Sequence, residues 1–195
     1  MRSQLRTLII IAIIIGSILV SLFANLAISL VQKSNHPKKY EELVTKYASE
    51  YNVPEYIIYA VINIESEFDP NAKSADGSCG LMQISPMVFK TIASYEHLNE
   101  STKFDELTKP DVAIRYGAYY LRYLFNKFHK WDVAFAAYDA GEEQVLEWLD
   151  DAEYSKNGES LSKIPLKETR NYVKRVNKAT SYYKNTYYKN GVSVK

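Results

Sequence analysis

The sequence predicts a mainly α-helical domain with at most a short hairpin, preceded by one transmembrane helix. Three observations predict it. Apolar residues along most of the chain recur at helical spacings, three and four apart. No stretch keeps the strict alternation of a half-buried strand. Residues 8–31 form 24 consecutive positions without an ionisable side chain, nineteen of them apolar.

That apolar run comes first. At about 1.5 Å per residue it spans roughly 36 Å as a helix, enough for a hydrocarbon core of about 30 Å with some tilt. Residues 1–7 form its n-region, with Arg2 and Arg6. The run reads as a membrane anchor or an export signal, so the function belongs outside the cytoplasm. A cleaved signal has a shorter apolar core of about 7–15 residues, so an uncleaved anchor is the preferred reading. The best small-x-small candidate, Ala27-Ile28-Ser29, lies inside the run. Lys33, Lys38 and Lys39 follow it, so basic residues flank both ends and charge counting assigns no orientation. Residues 32–37 are a polar spacer, and residues 38–190 are the expected domain.

Tyr40, Leu43, Val44, Tyr47, Ala48 and Tyr51 lie on one face of a first domain helix. Asn52-Val53-Pro54 breaks it and opens a second over about 54–67, with Ile57, Ile58, Val61, Ile62 and Glu65 on or beside one stripe. Pro86 opens a third through about 94. Pro110 opens a fourth through about 128, carrying Val112, Tyr116, Tyr119, Tyr120 and Tyr123. A fifth covers 131–138, stopped at Ala140-Gly141, where glycine suits the left-handed conformation after a helix. A sixth covers 142–149. Pro165 opens a long last helix with Tyr172, Val173, Val176, Thr180, Tyr183 and Tyr187 at helical spacing. Between the second and third helices, residues 69–85 form the longest irregular piece, where a short hairpin fits.

Composition narrows the function. In 195 residues, 24 Lys and Arg stand against 23 Asp and Glu, a net charge of +1. Residues 32–195 alone hold 22 basic and 23 acidic side chains, a net of −1. Neither balance suits a nucleic-acid binder. A hydrophobic content of 47% excludes a disordered chain. The lone Cys79 excludes an intramolecular disulfide and a Cys-rich zinc site, and no thiol near residue 30 could carry a lipid. His36, His97 and His129 are too far apart to form a metal-ligand motif, so no metal and no organic cofactor is expected.

The chemistry concentrates after the second helix. There an apolar helix ends on Glu65, a loop with Gly77 and Gly80 follows, and Leu81-Met82-Gln83-Ile84 feeds the next helix. A carboxyl at the C-terminal end of a buried helix faces apolar surroundings and the negative end of the helix dipole. Both favour its protonated form, which suits protonation of a leaving oxygen. Spacing alone leaves a second reading open, in which Glu65 is a solvated helix-end acid.

The residue types bear on that choice. Glu65, Ser66, Phe68, Pro70, Ala72, Ser74, Gly77, Gly80, Leu81, Met82, Gln83, Ile84 and Pro86 are thirteen matches over 22 positions to one motif. The stretch resembles the catalytic motif of the soluble-lytic-transglycosylase (SLT) family, goose-lysozyme-like enzymes that cleave peptidoglycan. Ala137-Tyr138-Asp139-Ala140-Gly141 is similar to the family's Ala-Tyr-Asn-Ala-Gly. Ile164-Pro165, Glu168-Thr169, Tyr172-Val173 and Val176 are similar to its final motif. The resemblance covers roughly residues 40–188.

The resemblance implies a lysozyme-like fold of the α+β lysozyme superfamily and a lyase acting on the cell wall. Glu65 would be the single acid and base. It would cleave the β-1,4 bond between N-acetylmuramic acid and N-acetylglucosamine and leave 1,6-anhydro ends. It also implies groove positions for Ser74, Met82, Gln83, Tyr138, Asp139 and Glu168. All but Asp139 have a plainer reading beside that one. Ser74 and Gln83 suit loop hydrogen bonding, Met82 a core, Tyr138 packing, and Glu168 a first helical turn. No second carboxylate stands at an obvious fixed spacing, whereas ordinary glycosidases use two.

One departure matters. Asp139 stands where the family has Asn, adding a carboxylate next to Tyr138. It could raise the pKa of Glu65 or serve as a base for water, which leaves a hydrolytic muramidase as an alternative. A non-catalytic peptidoglycan-binding module is the other, and Glu65 argues against it. Expected partners are peptidoglycan glycan strands, the membrane through residues 8–31, and envelope machinery, with no nucleic acid. Expected localisation is the cell membrane, single-pass, with the catalytic domain on the extracytoplasmic side.

Overall fold

The computed structural model describes residues 2–94, 101–189 and 192–193. Two compact units, Met1–Pro37 and Lys38–Lys195, divide the chain. The first is one helix, α1 (Arg2–Asn35). Its apolar side chains from Ile13 to Val31 are largely exposed, Phe23 at 75%. Within it, Ile13–Asn35 is long and apolar enough to cross a membrane.

The second unit is helical. It runs through α2 (Glu41–Tyr51), α3 (Glu55–Ser66), α4 (Pro86–Ser94), a 3-10 turn (Phe104–Thr108) and α5 (Pro110–Phe128). It continues through α6 (Trp131–Ala140), α7 (Glu142–Asp150) and α8 (Lys167–Tyr187). Among the described residues, the only strands are β1 (Tyr188–Lys189) and β2 (Val192–Ser193), which pair antiparallel.

Helix α3 is the axle. Ile57 through Ile62 are all buried, so α3 is surrounded on every side rather than half-exposed. It packs most extensively on α8 and also touches α2 and α5. Tyr59 of α3 stacks on Tyr183 of α8 with ring centroids 5.4 Å apart. The ammonium of Lys38 lies over the rings of Tyr59, Tyr187 and Tyr188 at 5.5–5.8 Å and pairs with Glu41 at 2.6 Å. The start of the domain is thereby tied to its last helix.

Some expectations need correction. The loop 69–85 has no strands, only single bridges, Lys73 to Cys79 and Cys79 to Ile84. The short strands lie instead after α8. That last helix begins at Lys167 rather than Pro165, because Leu166 is still extended. Helix α6 runs on to Ala140, and Gly141 sits at φ 88°, ψ 150°. That is not the left-handed helical region but an extended region open almost only to glycine. It turns the chain directly from α6 into α7.

Candidate active site

The site is assembled where α3 stops. Glu65 is the penultimate residue of α3, and Glu67 and Phe68 then take positive φ values of 50° and 67°. Two such residues in a row are costly without glycine, so the surroundings must hold them. Phe68 is buried, its ring 6.4 Å from that of Tyr59. Ser66 is buried and its hydroxyl donates to Leu81 O at 2.8 Å, pinning the returning loop to the helix end. Asn63 O accepts from the N–H of Glu67 at 3.3 Å.

The loop is closed by its own polar groups. Gln83 Nε2 donates to Ala72 O at 3.0 Å and to Gly80 O at 2.9 Å. Cys79 and Ile84 exchange both backbone hydrogen bonds at 3.2 Å. Cys79 itself is buried, and burial raises its thiol pKa, so it stays a protonated filler.

Glu65 is half-buried and opens on a cleft of about 360 Å³. The cleft is lined by the loop through Ser74, Asp76, Ser78 and Gln83, and by α4 through Met87 and Val88. Tyr120 of α5 and Tyr138 and Asp139 of α6 complete it. A second cavity of about 420 Å³ adjoins it, sharing Met87, Val88, Tyr120, Ala140 and Gly141 and reaching Tyr123 and Glu147. Together they extend the cleft from Glu65 past Tyr120 to Glu147.

Tyr172 of α8 donates its hydroxyl to Glu65 Oε1 at 2.6 Å. Tyr138 donates to Met82 O at 2.7 Å, and its ring lies 5.2 Å from that of Tyr120. Burial raises the phenol pKa of both Tyr138 and Tyr172 well above the usual tyrosine range, so each stays a neutral donor.

Burial pushes the Glu65 carboxyl up to about 7. The Tyr172 hydrogen bond opposes this, the negative charges of Asp139 and Asp76 add to it, and Arg175 opposes it more weakly. A carboxyl poised there is partly protonated at neutral pH and can give a proton and take one back. Among the described residues, no group of three or more His, Cys, Asp or Glu side chains is placed to hold a metal ion.

Glu65, Ser74, Gln83, Tyr138 and Asp139 therefore meet in one cleft. Met82 does not join them through its side chain, which is wholly buried. It points into α5, where a Cβ on Gly117 would stand 2.2 Å from Met82 Sδ. Its carbonyl accepts the hydrogen bond of Tyr138, a cleft residue. Glu168 is exposed in the first turn of α8 and does not line the cleft. Its helix contributes Tyr172 instead, a residue read above as part of a helical face and of the final motif but given no place at the site. Tyr172 lies in the same motif, one turn beyond Glu168, and that position was its signal. Asp76, also unassigned above, is a further carboxylate in the cleft.

The chain was compared with known proteins. The family model described as "Transglycosylase SLT domain" matches residues 42–161. The match holds Glu65 and the loop but ends before α8. The "Soluble lytic murein transglycosylase" of Escherichia coli (strain K12) is 31% identical over 150 residues, covering 76% of this chain and 23% of that protein. The "Membrane-bound lytic murein transglycosylase C" of Mannheimia succiniciproducens is 28% identical over 182 residues, covering 80% of this chain and 51% of that one.

Among solved structures, the 70-kDa soluble lytic transglycosylase in complex with bulgecin A superposes with a TM-score of 0.71 at 28% identity, over 84% of this chain and 27% of that chain. An inactive mutant of the lytic transglycosylase Slt from Pseudomonas aeruginosa gives 0.66 at 27%, over 81% and 26%. The chain thus spans about a quarter of the length of its soluble relatives. On this evidence the chain belongs to the transglycosylase SLT domain family.

Proposed function

We propose that this domain is a peptidoglycan lytic transglycosylase in which Glu65 is the single general acid and base. The observation that carries the reading is the Glu65 carboxyl. It is half-buried at a groove, held by Tyr172, and raised to about 7. Family membership and the names of the relatives support the same substrate, murein.

The proposed reaction uses both protonation states of this carboxyl. Tyr172 occupies Oε1, which leaves the acid proton for Oε2. Glu65 donates that proton to the glycosidic oxygen, and the bond from that oxygen to C1 of N-acetylmuramic acid breaks. The carboxylate then takes the proton of the C6 hydroxyl of the same sugar. The freed oxygen bonds to C1 and closes a 1,6-anhydro ring. No water is consumed, and Glu65 ends protonated as it began.

Asp139 favours a second reading. It lines the same cleft as Glu65, so it is placed to act as base for a water molecule and make the enzyme a hydrolytic muramidase. Incubation with purified peptidoglycan and mass spectrometry of the released fragments separates these. Anhydro ends are expected, reducing ends identify hydrolysis, and no release identifies a binding module. A Glu65→Gln variant with full activity would overturn both enzymatic readings.

The proposal extends to location. The apolar helix Ile13–Asn35 and the membrane-bound relative support a single-pass anchor, with the catalytic domain on the extracytoplasmic side, where murein lies. Protease shaving of intact spheroplasts is expected to remove the domain. Protection of the domain would reverse the orientation.

A further inference from the structure

The loop side of the cleft has an unusual hydrogen-bond polarity. Ser74 Oγ donates to Asp76 Oδ1, with Ser78 O at 3.2 Å as its other acceptor. Ser78 Oγ donates to Asp76 Oδ2 at 2.8 Å, and the Ser78 N–H lies 3.3 Å from Oδ1. A serine hydroxyl has one proton and two lone pairs. Both hydroxyl protons are therefore spent inside the loop.

Gln83 behaves in the same way. Its two amide protons go to Ala72 O and Gly80 O, which leaves its Oε1 as the group without a proton. Five polar side chains of the loop line this wall, namely Ser74, Asp76, Ser78, Gln83 and Ser85, the last accepting from the Val88 N–H at 3.2 Å. The first four offer the cleft lone pairs only. The hydroxyl hydrogen bonds also lower the Asp76 pKa, so its carboxylate is ionised and accepts throughout the neutral range.

We infer that these four acceptors recognise N–H groups of an N-acetylated glycan and that Asp76 is the positioning residue that sets their polarity. Asp76 acts through the two serines, by holding their protons away from the cleft. Without it, the Ser78 hydroxyl is free to turn its proton toward the ligand, where it would face another donor, and Ser74 is left with only its longer bond to Ser78 O. The inference rests on the glycan reading of the same groove.

The test is binding, not turnover. The full chain in detergent micelles carries Glu65→Gln, so no bond is cleaved. Its Kd is measured for tri-N-acetylchitotriose and for the analogue with N-methylated acetamides, which lacks the N–H. Asp76→Asn keeps the shape but offers the serines an N–H. It is expected to weaken tri-N-acetylchitotriose about five- to ten-fold, the worth of one hydrogen bond. The N-methylated probe should change less than about two-fold.

Ser74→Ala, a smaller perturbation, is expected to show the same selective loss, which keeps the test intact if Asp76→Asn folds poorly. Equal weakening of both probes, no weakening of either, or no binding of tri-N-acetylchitotriose overturns the inference. Product chemistry of the unsubstituted chain is read separately. Reducing ends there would change the reaction while leaving this binding result standing.

Discussion

The C-terminal end of α3 and the first turn of α8 each present a glutamate, and the two meet opposite surroundings. Glu65 ends a helix that is buried on every side, and it opens on the cleft. Glu168 begins a helix that is exposed along one face, and it points to solvent. Burial raises the Glu65 carboxyl to about 7. The same side chain is thus an enclosed carboxyl with a raised pKa at one place and a solvated helix-start acid at the other. Identity of residue type and membership of a motif do not separate them. Helix phase and enclosure do.

The largest expected effect is on catalysis at the α3 end. Glu65→Gln should lower peptidoglycan cleavage by about 10²–10⁴-fold, the usual worth of a positioned acid and base. Release of soluble fragments from labelled sacculi measures it. Glu168→Gln in the same assay should stay within about two-fold. A comparable loss there would break the contrast.

Stability against pH sharpens it. The Glu65 pKa is about 4.5 in the unfolded chain and about 7 in the folded one. The folded state therefore binds more protons across that window, so stability falls as pH rises from about 4.5 to 7 and levels off above. The fall is at most about 3 kcal/mol, from 1.36 kcal/mol per pKa unit. Glu65→Gln removes the penalty, so thermal melts at pH 8 should show the inactive variant more stable than its parent. A parent and variant with parallel Tm profiles from pH 5 to pH 8 would refute this.

Tyr172→Phe tests the bond between the two regions. Losing the hydroxyl removes the hydrogen bond that favours the charged carboxylate, so the Glu65 pKa rises further. The pH–rate profile should shift to higher pH, and stability should drop by about 1 kcal/mol. An unmoved profile would mean that Tyr172 serves packing only.

The smallest effect is at the α8 start. Glu168→Gln removes a negative charge near a helix N-terminus and should cost about 0.3–1 kcal/mol, less at high salt. Chemical denaturation at two ionic strengths reads it. A larger, salt-independent cost would show a buried role that its exposure contradicts.

Much of the fold was legible because its signals are local. Pro110 begins α5, Asn52 ends α2 in the left-handed conformation, and apolar spacing marks each helix between. The loop around Ser74 and Gln83 was legible as a motif, since its closure uses residues within about a dozen positions of one another. The direction of Met82 was not. A buried methionine and a groove methionine have the same spacing, and the cavity above Gly117 decides between them. The conformation of Gly141 was misread because a helix stop demands a positive φ but leaves ψ to the next helix.

By itself the amino-acid sequence determined the apolar span, the helices and the glutamate that closes α3. These depend on hydrophobic period, proline, glycine and the order of side chains along one stretch of chain. Only the tertiary structure decided what surrounds that glutamate. Tyr172 lies 107 residues further along the chain, yet its hydroxyl is 2.6 Å from Glu65. Asp139 and Asp76, on different elements, line the same cleft. A pKa is set by enclosure and by charges close in space, and neither quantity is written in sequence distance.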